Sequence, residues 1–100
     1  MPRGAPRLRT IHGRINSVGE RMETRALQLK LTQDMLCARL AEVTAGGWIA
    51  DRRDIYRIIH GQRIVSDLEL MALADALECD ACWLLRGDDE GTIQFQTQPE

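Results

Sequence analysis

Asp51-Arg52-Arg53-Asp54-Ile55-Tyr56-Arg57-Ile58-Ile59-His60-Gly61 is the stretch on which the reading of this chain turns. Ile55, Ile58 and Ile59 recur at helical spacing and define one apolar face. Asp51 is suited to cap the first free N–H groups, and Gly61 to close the last turn. The spacing therefore predicts a helix over 52–60, seated on its isoleucines. Arg52, Arg53 and Arg57 lie away from that face, with Asp54 and Tyr56 among them. The thirteen residues from Asp51 to Arg63 carry four arginines and one tyrosine. A short helix fits the major groove of B-DNA, and arginine matches guanine O6 and N7.

Working outward, Thr32 caps a helix expected over 33–45, with Asp34 in its first turn, where the helix dipole favours a carboxylate. Leu36, Leu40 and Val43 supply its apolar face, and Gly46-Gly47 is expected to stop it. Ser17 and Glu20 read as a capping box for a first helix over 18–30, with Val18, Met22, Ala26 and Leu29 as its buried stripe. Ser66 and Glu69 read as a second capping box for a helix over 67–78, buried through Leu70, Leu73, Ala74 and Leu77. Asp80 caps a short fifth helix containing Trp83, Leu84 and Leu85, ended by Gly87. No stretch before Thr92 alternates like a strand. The fold class expected is all-α, a compact five-helix domain.

One hundred residues make one domain, which excludes a large two-domain enzyme. With 44% hydrophobic and 28% charged residues, the chain can bury a core and is not disordered in composition. Its apolar runs are far short of the roughly 20 residues that span a bilayer, and Met1 to Arg7 lacks the apolar stretch of a secretory signal. Three cysteines give no disulfide framework, so a cytoplasmic setting is expected. Charge is segregated. Residues 1–63 carry 12 Lys and Arg against 6 Asp and Glu, whereas 64–100 carry 1 against 9. An acidic chain can thus present a basic half to an anion. The organisation expected is a basic flexible arm over 1–16 with Arg3, Arg7, Arg9 and Arg14, a helical domain over 17–87, and a polar tail over 88–100. Within the tail, Thr92 to Thr97 alternates at period two.

Chemistry of other kinds finds little support. Cys79-x-x-Cys82 lacks the further ligands at matching spacing that a structural zinc site needs, and it lacks the βαβ setting of a redox motif. His60 reads as a partner for a helix C-terminus or a phosphate. No nucleophile–base set, paired carboxylate site or phosphate-cradling glycine loop is visible, so no enzyme activity and no cofactor are expected.

Taken in order, these residues resemble the Cro/CI-type helix-turn-helix domain of phage repressors and their bacterial relatives, the xenobiotic-response-element regulators. The resemblance runs from Gly19 to Gly87. It is carried by Gly19-Glu20-Arg21, Leu31-Thr32-Gln33 with Leu36 and Leu40, and Arg52-x-x-Ile55-x-x-Ile58 with Gly61. It continues through Arg63-x-Val65-x-Asp67-x-Glu69-Leu70, Ala72-x-Ala74-x-Ala76-Leu77 and Trp83-Leu84-Leu85-x-Gly87. There are two departures. The connection holding Ala45-Gly46-Gly47-Trp48-Ile49-Ala50 exceeds the tight turn of the short form. It resembles a long-turn subgroup, in which the second helix is expected to gain a turn and Trp48 to pack beneath the connection. Ala26 and Ile59 stand where many relatives pair a buried Arg with Glu, and replacing both partners together keeps the packing coherent.

The resemblance implies a sequence-specific double-stranded DNA-binding regulator, a repressor of bacterial or prophage type. Arg52, Arg53 and Arg57 would face base edges. Asp54 would accept from cytosine N4 or hold Arg53 or Arg57. Tyr56 would meet a phosphate or a thymine methyl, or pack against the second helix. Thr32, Gln33, Gln62 and Arg63 would contact the phosphate backbone, and the arm would follow the backbone or enter the minor groove. A homodimer over two half-sites is expected, joined through the fifth helix or through paired tail strands. The alternative is a protein-interaction module on the same scaffold, such as an antitoxin that masks a toxin, and the acidic half favours it.

Overall fold

Five helices follow one another: α1 (Gly19–Gln28), α2 (Gln33–Val43), α3 (Arg52–Ile59), α4 (Asp67–Ala76) and α5 (Ala81–Arg86). The computed structural model describes residues 8–88 and 93–97, and no strand occurs among them. Arg3 and Arg7 of the arm and Thr92 of the tail lie outside the described residues. The chain is all-α, as its periodicity predicts. Among the described residues no helix is long and apolar enough to cross a membrane.

Four expected caps are in place, those of Thr32, Asp51, Ser66 and Asp80. Thr32 accepts from the Met35 N–H, Asp80 accepts from the Trp83 N–H, and Ser66 and Glu69 form the reciprocal box of α4. At α3 the box is reciprocal as well, because Asp54 returns a hydrogen bond to the Asp51 N–H. The Ser17–Glu20 box does not form. Asn16, buried, takes its place: its Oδ1 accepts from the N–H groups of Val18 and Gly19 at 3.2 and 3.1 Å. The asparagine amide can also donate, which a serine in that position would do less well. Its Nδ2 reaches the carbonyls of Ile58 and Arg63 at 3.0 and 2.9 Å.

Each of the first four helices ends one or two residues earlier than its periodicity suggests, for one shared reason. Lys30, Ala45, Gly61 and Glu78 each take a positive φ directly after the capping residue. The next N–H then bonds back to a carbonyl five residues earlier: Leu31 to Ala26, Gly46 to Ala41, Gln62 to Arg57 and Cys79 to Ala74. This is the Schellman closure, which usually recruits glycine. Here only α3 does so. At α2 the closure begins at Ala45 rather than at the glycine pair, and the expected extra turn is absent.

The core is built from Met22, Leu36, Leu40, Ile55, Ile58, Leu73, Leu77 and Leu84, all essentially without solvent contact. Val43 is exposed, because α2 ends there. Trp48 is half-buried against the core, and its N–H donates to Thr44 Oγ1 at 3.0 Å. Ala26 and Ile59 border a small apolar cavity of about 140 Å³ with Met22, Leu31, Leu36 and Ile55. Glu23, Thr32 and Gln33 also line it.

The described part of the arm is anchored. The Arg14 guanidinium donates through Nη2 to the carbonyls of Ile58 and Ile59, the last residues of α3. The Ile15 N–H donates to the Gly61 carbonyl at 2.9 Å. A cation at a helix C-terminus meets the negative end of the dipole and satisfies carbonyls that lack intrahelical partners. The approach is close: a Cβ on Gly19 would lie 2.1 Å from the Ile58 oxygen and 2.3 Å from Arg14 Nη2. The alternating tail meets the same arm within one chain. Thr10 and Phe95 form an antiparallel bridge, the Ile11 N–H donates to the Gln94 carbonyl at 2.9 Å, and the Gln96 N–H to the Arg9 carbonyl at 3.0 Å.

Candidate nucleic-acid interface

α3 carries the site. Ile55 and Ile58 are buried, so the rest of the helix has its rotation fixed. At 3.6 residues per turn, Arg52, Arg53, Tyr56, Arg57 and His60 fall within an arc of about 140° on the opposite side. All five are exposed. The two ends of α3 are held independently. The Asp51–Asp54 box fixes the start, while Arg14 and Asn16 fix the last carbonyls.

The arginines are not equivalent. Arg52 makes a two-pronged pair with Asp34 in the first turn of α2, Nε to Oδ1 at 2.8 Å and Nη2 to Oδ2 at 2.6 Å. The guanidinium holds the Asp34 carboxyl below the usual carboxylate range, and Asp34 raises the pKa of Arg52 in turn. This pair fixes the start of α3 to the start of α2. Arg53 is exposed and has no side-chain partner among the described residues. Arg57 makes one long contact of 3.4 Å, to the Gln62 carbonyl. The Tyr56 and His60 rings lie 4.1 Å apart at 43°, so Tyr56 stacks on His60 rather than on α2. Thr32 is committed to capping, while Gln33 and Gln62 are exposed on the flanking elements.

Arg63, expected at the phosphate backbone, turns inward. Nη1 and Nη2 each reach a Glu69 carboxylate oxygen at 2.9 Å, Nη1 also reaches the Ile64 carbonyl at 2.9 Å, and Nε lies 3.6 Å from Asp54 Oδ1. The guanidinium carbon sits 5.5 Å from the centroid of the Trp48 ring, a cation–π distance. The Arg63 side chain is only 21% exposed, which leaves it little reach toward an outside anion. Its hydrogen bonds pull the Glu69 carboxyl below the ordinary glutamate value against the opposing effect of burial. Asp54 likewise serves the cap and Arg63, and holds neither Arg53 nor Arg57. One arginine thus ties the start of α3, the start of α4 and the long connection together.

Arg14, Asn16 and Asp34 are supports of α3 that sequence reasoning missed. The signal for Asp34 was present, an acid one residue into a helix and a free arginine opening the next. Arg14 and Asn16 act across more than forty residues, and no local pattern announces that. Burial pushes the Cys37 and Cys79 thiols up in pKa, while Cys82 is exposed. No family model matches this chain, and no curated protein does. The class established is therefore structural: an all-α domain of five helices.

Proposed function

We propose that this chain is a sequence-specific double-stranded DNA-binding regulator, a repressor of bacterial or prophage type, reading the major groove with α3. The observation that carries the reading is the outer arc of α3, where Arg52, Arg53 and Arg57 project from a short helix whose ends and inner face are fixed. Guanidinium groups on a firmly held, groove-sized helix suit guanine edges. Gln33 and Gln62 flank the arc and supply phosphate contacts that set register. A single module of this size makes few contacts, so the protein acts as a cytoplasmic homodimer on two guanine-containing half-sites.

The test is selection from random duplex DNA, followed by titration of the wild type and an Arg53→Ala/Arg57→Ala variant across salt concentrations. A recurring site lost in the variant supports the reading. Weak binding with a steep salt slope and no recurring site overturns it.

A second reading, an antitoxin-like protein-interaction module, is favoured by α4. Leu68 and Met71 are 74% and 60% exposed, one helical turn apart between Asp67 and Asp75. Such a face suits a basic, apolar partner surface. Purification of a stable complex with a basic protein, disrupted by Leu68→Glu without loss of DNA binding, would establish it beside the first reading.

A further inference from the structure

The arm and tail enclose space of two kinds. A cavity of about 480 Å³ is walled by Val18, Val65 and Leu70 on one side and by Leu8, Ile93 and Phe95 on the other. Ile15 and Leu85 complete its apolar lining. A second cavity, of about 310 Å³, is bordered by His12, Arg14, Arg21 and Arg86, with Glu20 the one acid among the described residues that line it. Thr10, Arg14, Asn16, Ser17 and Ile93 stand in the walls of both. The two cavities therefore adjoin along the arm, and the cleft they make up has a largely apolar part and a cationic part. Asp67 and Arg9 sit at the apolar cavity, but the Asp67 carboxylate already accepts from the Leu68 N–H and Arg9 already donates to the Gly13 carbonyl.

The cationic part retains donors. Arg21 is spent on the carbonyls of Ser17, Leu84 and Leu85 and contributes mainly its field. Arg14 engages through Nη2 alone among the described residues, leaving Nε and Nη1. Arg86 is exposed at the end of α5 and has no side-chain partner among the described residues. Small-molecule sites are typically clefts of about 300–1,000 Å³, mostly apolar with a few placed polar groups.

We propose that this cleft binds an amphiphilic anion, a medium-length acyl or alkyl chain bearing a carboxylate or phosphate. The chain lies among Val65, Leu70, Leu85 and Ile93, and the head meets Arg14 and Arg86. The apolar part excludes a plain anion as the preferred ligand, because half the cleft would stay unfilled. The cationic part discriminates against a neutral alcohol of the same length. The inference does not rest on the DNA reading.

Isothermal titration of the full chain tests it, with decanoate, decyl phosphate, decan-1-ol and acetate as probes, all below their aggregation thresholds and at fixed ionic strength. At least one of the two long-chain anions is expected to bind one-to-one, with decanol and acetate weaker by about tenfold or more. Which anion is the tighter identifies the head group. Arg86→Gln, at an exposed position, is expected to weaken the long-chain anions several-fold and leave decanol unchanged, and Ile93→Ser to weaken every long-chain probe. Thermal melts of both variants establish that they fold. Decanol binding as tightly as decanoate overturns the proposal. So does binding that neither variant alters, or the absence of binding by a chain that dimerises over this cleft.

Discussion

Two adjacent guanidinium groups at the start of α3 carry different expectations. Arg53 is unpaired among the described residues and has nothing to give up when a guanine approaches. Arg53→Ala is expected to lower affinity for a selected site by about 1–3 kcal/mol, with the melting temperature little changed. A filter or anisotropy titration beside a melt reads both quantities. Arg52 shares itself with Asp34, and both side chains of this pair are largely exposed. Asp34→Asn is expected to strengthen DNA binding and steepen its salt dependence by about one counterion. Affinity measured against salt concentration checks this, and a weaker or unchanged slope would show that Arg52 is held away from the DNA. Glu69 supplies the pH-dependent case. Its pKa is lowered in the folded chain, so the stability it contributes is present above its unfolded value and lost as pH falls through the folded value. Glu69→Gln is expected to cost about 1–3 kcal/mol near neutral pH, because it breaks one side of a largely buried pair. Denaturant titrations at neutral pH and at successively lower pH should see that gap narrow once the pH falls below the unfolded carboxyl value.

At the scale of the helix, the close contact between the start of α1 and the end of α3 is the most sensitive joint. Gly19→Ala places a methyl group against the Ile58 carbonyl, and neither backbone can yield alone. A loss of about 1–3 kcal/mol is expected. A thermal melt would register that as a fall of about 4–8 °C per kcal/mol for a domain of this size. The helix ends point the other way. Lys30 is exposed and left-handed, so Lys30→Gly is expected to stabilise by about 0.5–1 kcal/mol. These two joints also show what was legible in the sequence. Helix existence, order, inner faces and four of the caps follow from spacing and short-range chemistry, which act within four residues. The ends of α1, α2 and α4 did not, because lysine, alanine and glutamate sit where the closure rule looks for glycine. The arginine arc of α3 was readable from periodicity. Its supports were not, since Arg14, Asn16 and the inward turn of Arg63 depend on partners brought together only by the finished fold. Arg63 and Glu69 lay six residues apart in plain view, yet spacing alone does not distinguish an inward pair from two solvated charges.

Across the whole molecule, two features stand out: opposite charge on the two halves of the sequence, and the contact of residues 9–11 with 94–96. The basic half holds α2, α3 and the anchored arm, and the acidic half holds α4 and α5. A polyanion is expected to meet the basic half first, and encounter rates should then fall steeply with salt. The bridge between Thr10 and Phe95 has a further consequence, for chain connectivity. Segments that already lie side by side at Thr10 and Phe95 can be joined by a short linker and new ends opened elsewhere. Gly46 is exposed with open space around it, so a cut there falls in the connection between α2 and α3. A chain permuted in this way would keep all five helices but sever the peptide link between α2 and α3. Were it still to fold and bind, the grip of Arg14, Asn16, Asp34 and Arg63, and not the loop, would be what aims α3.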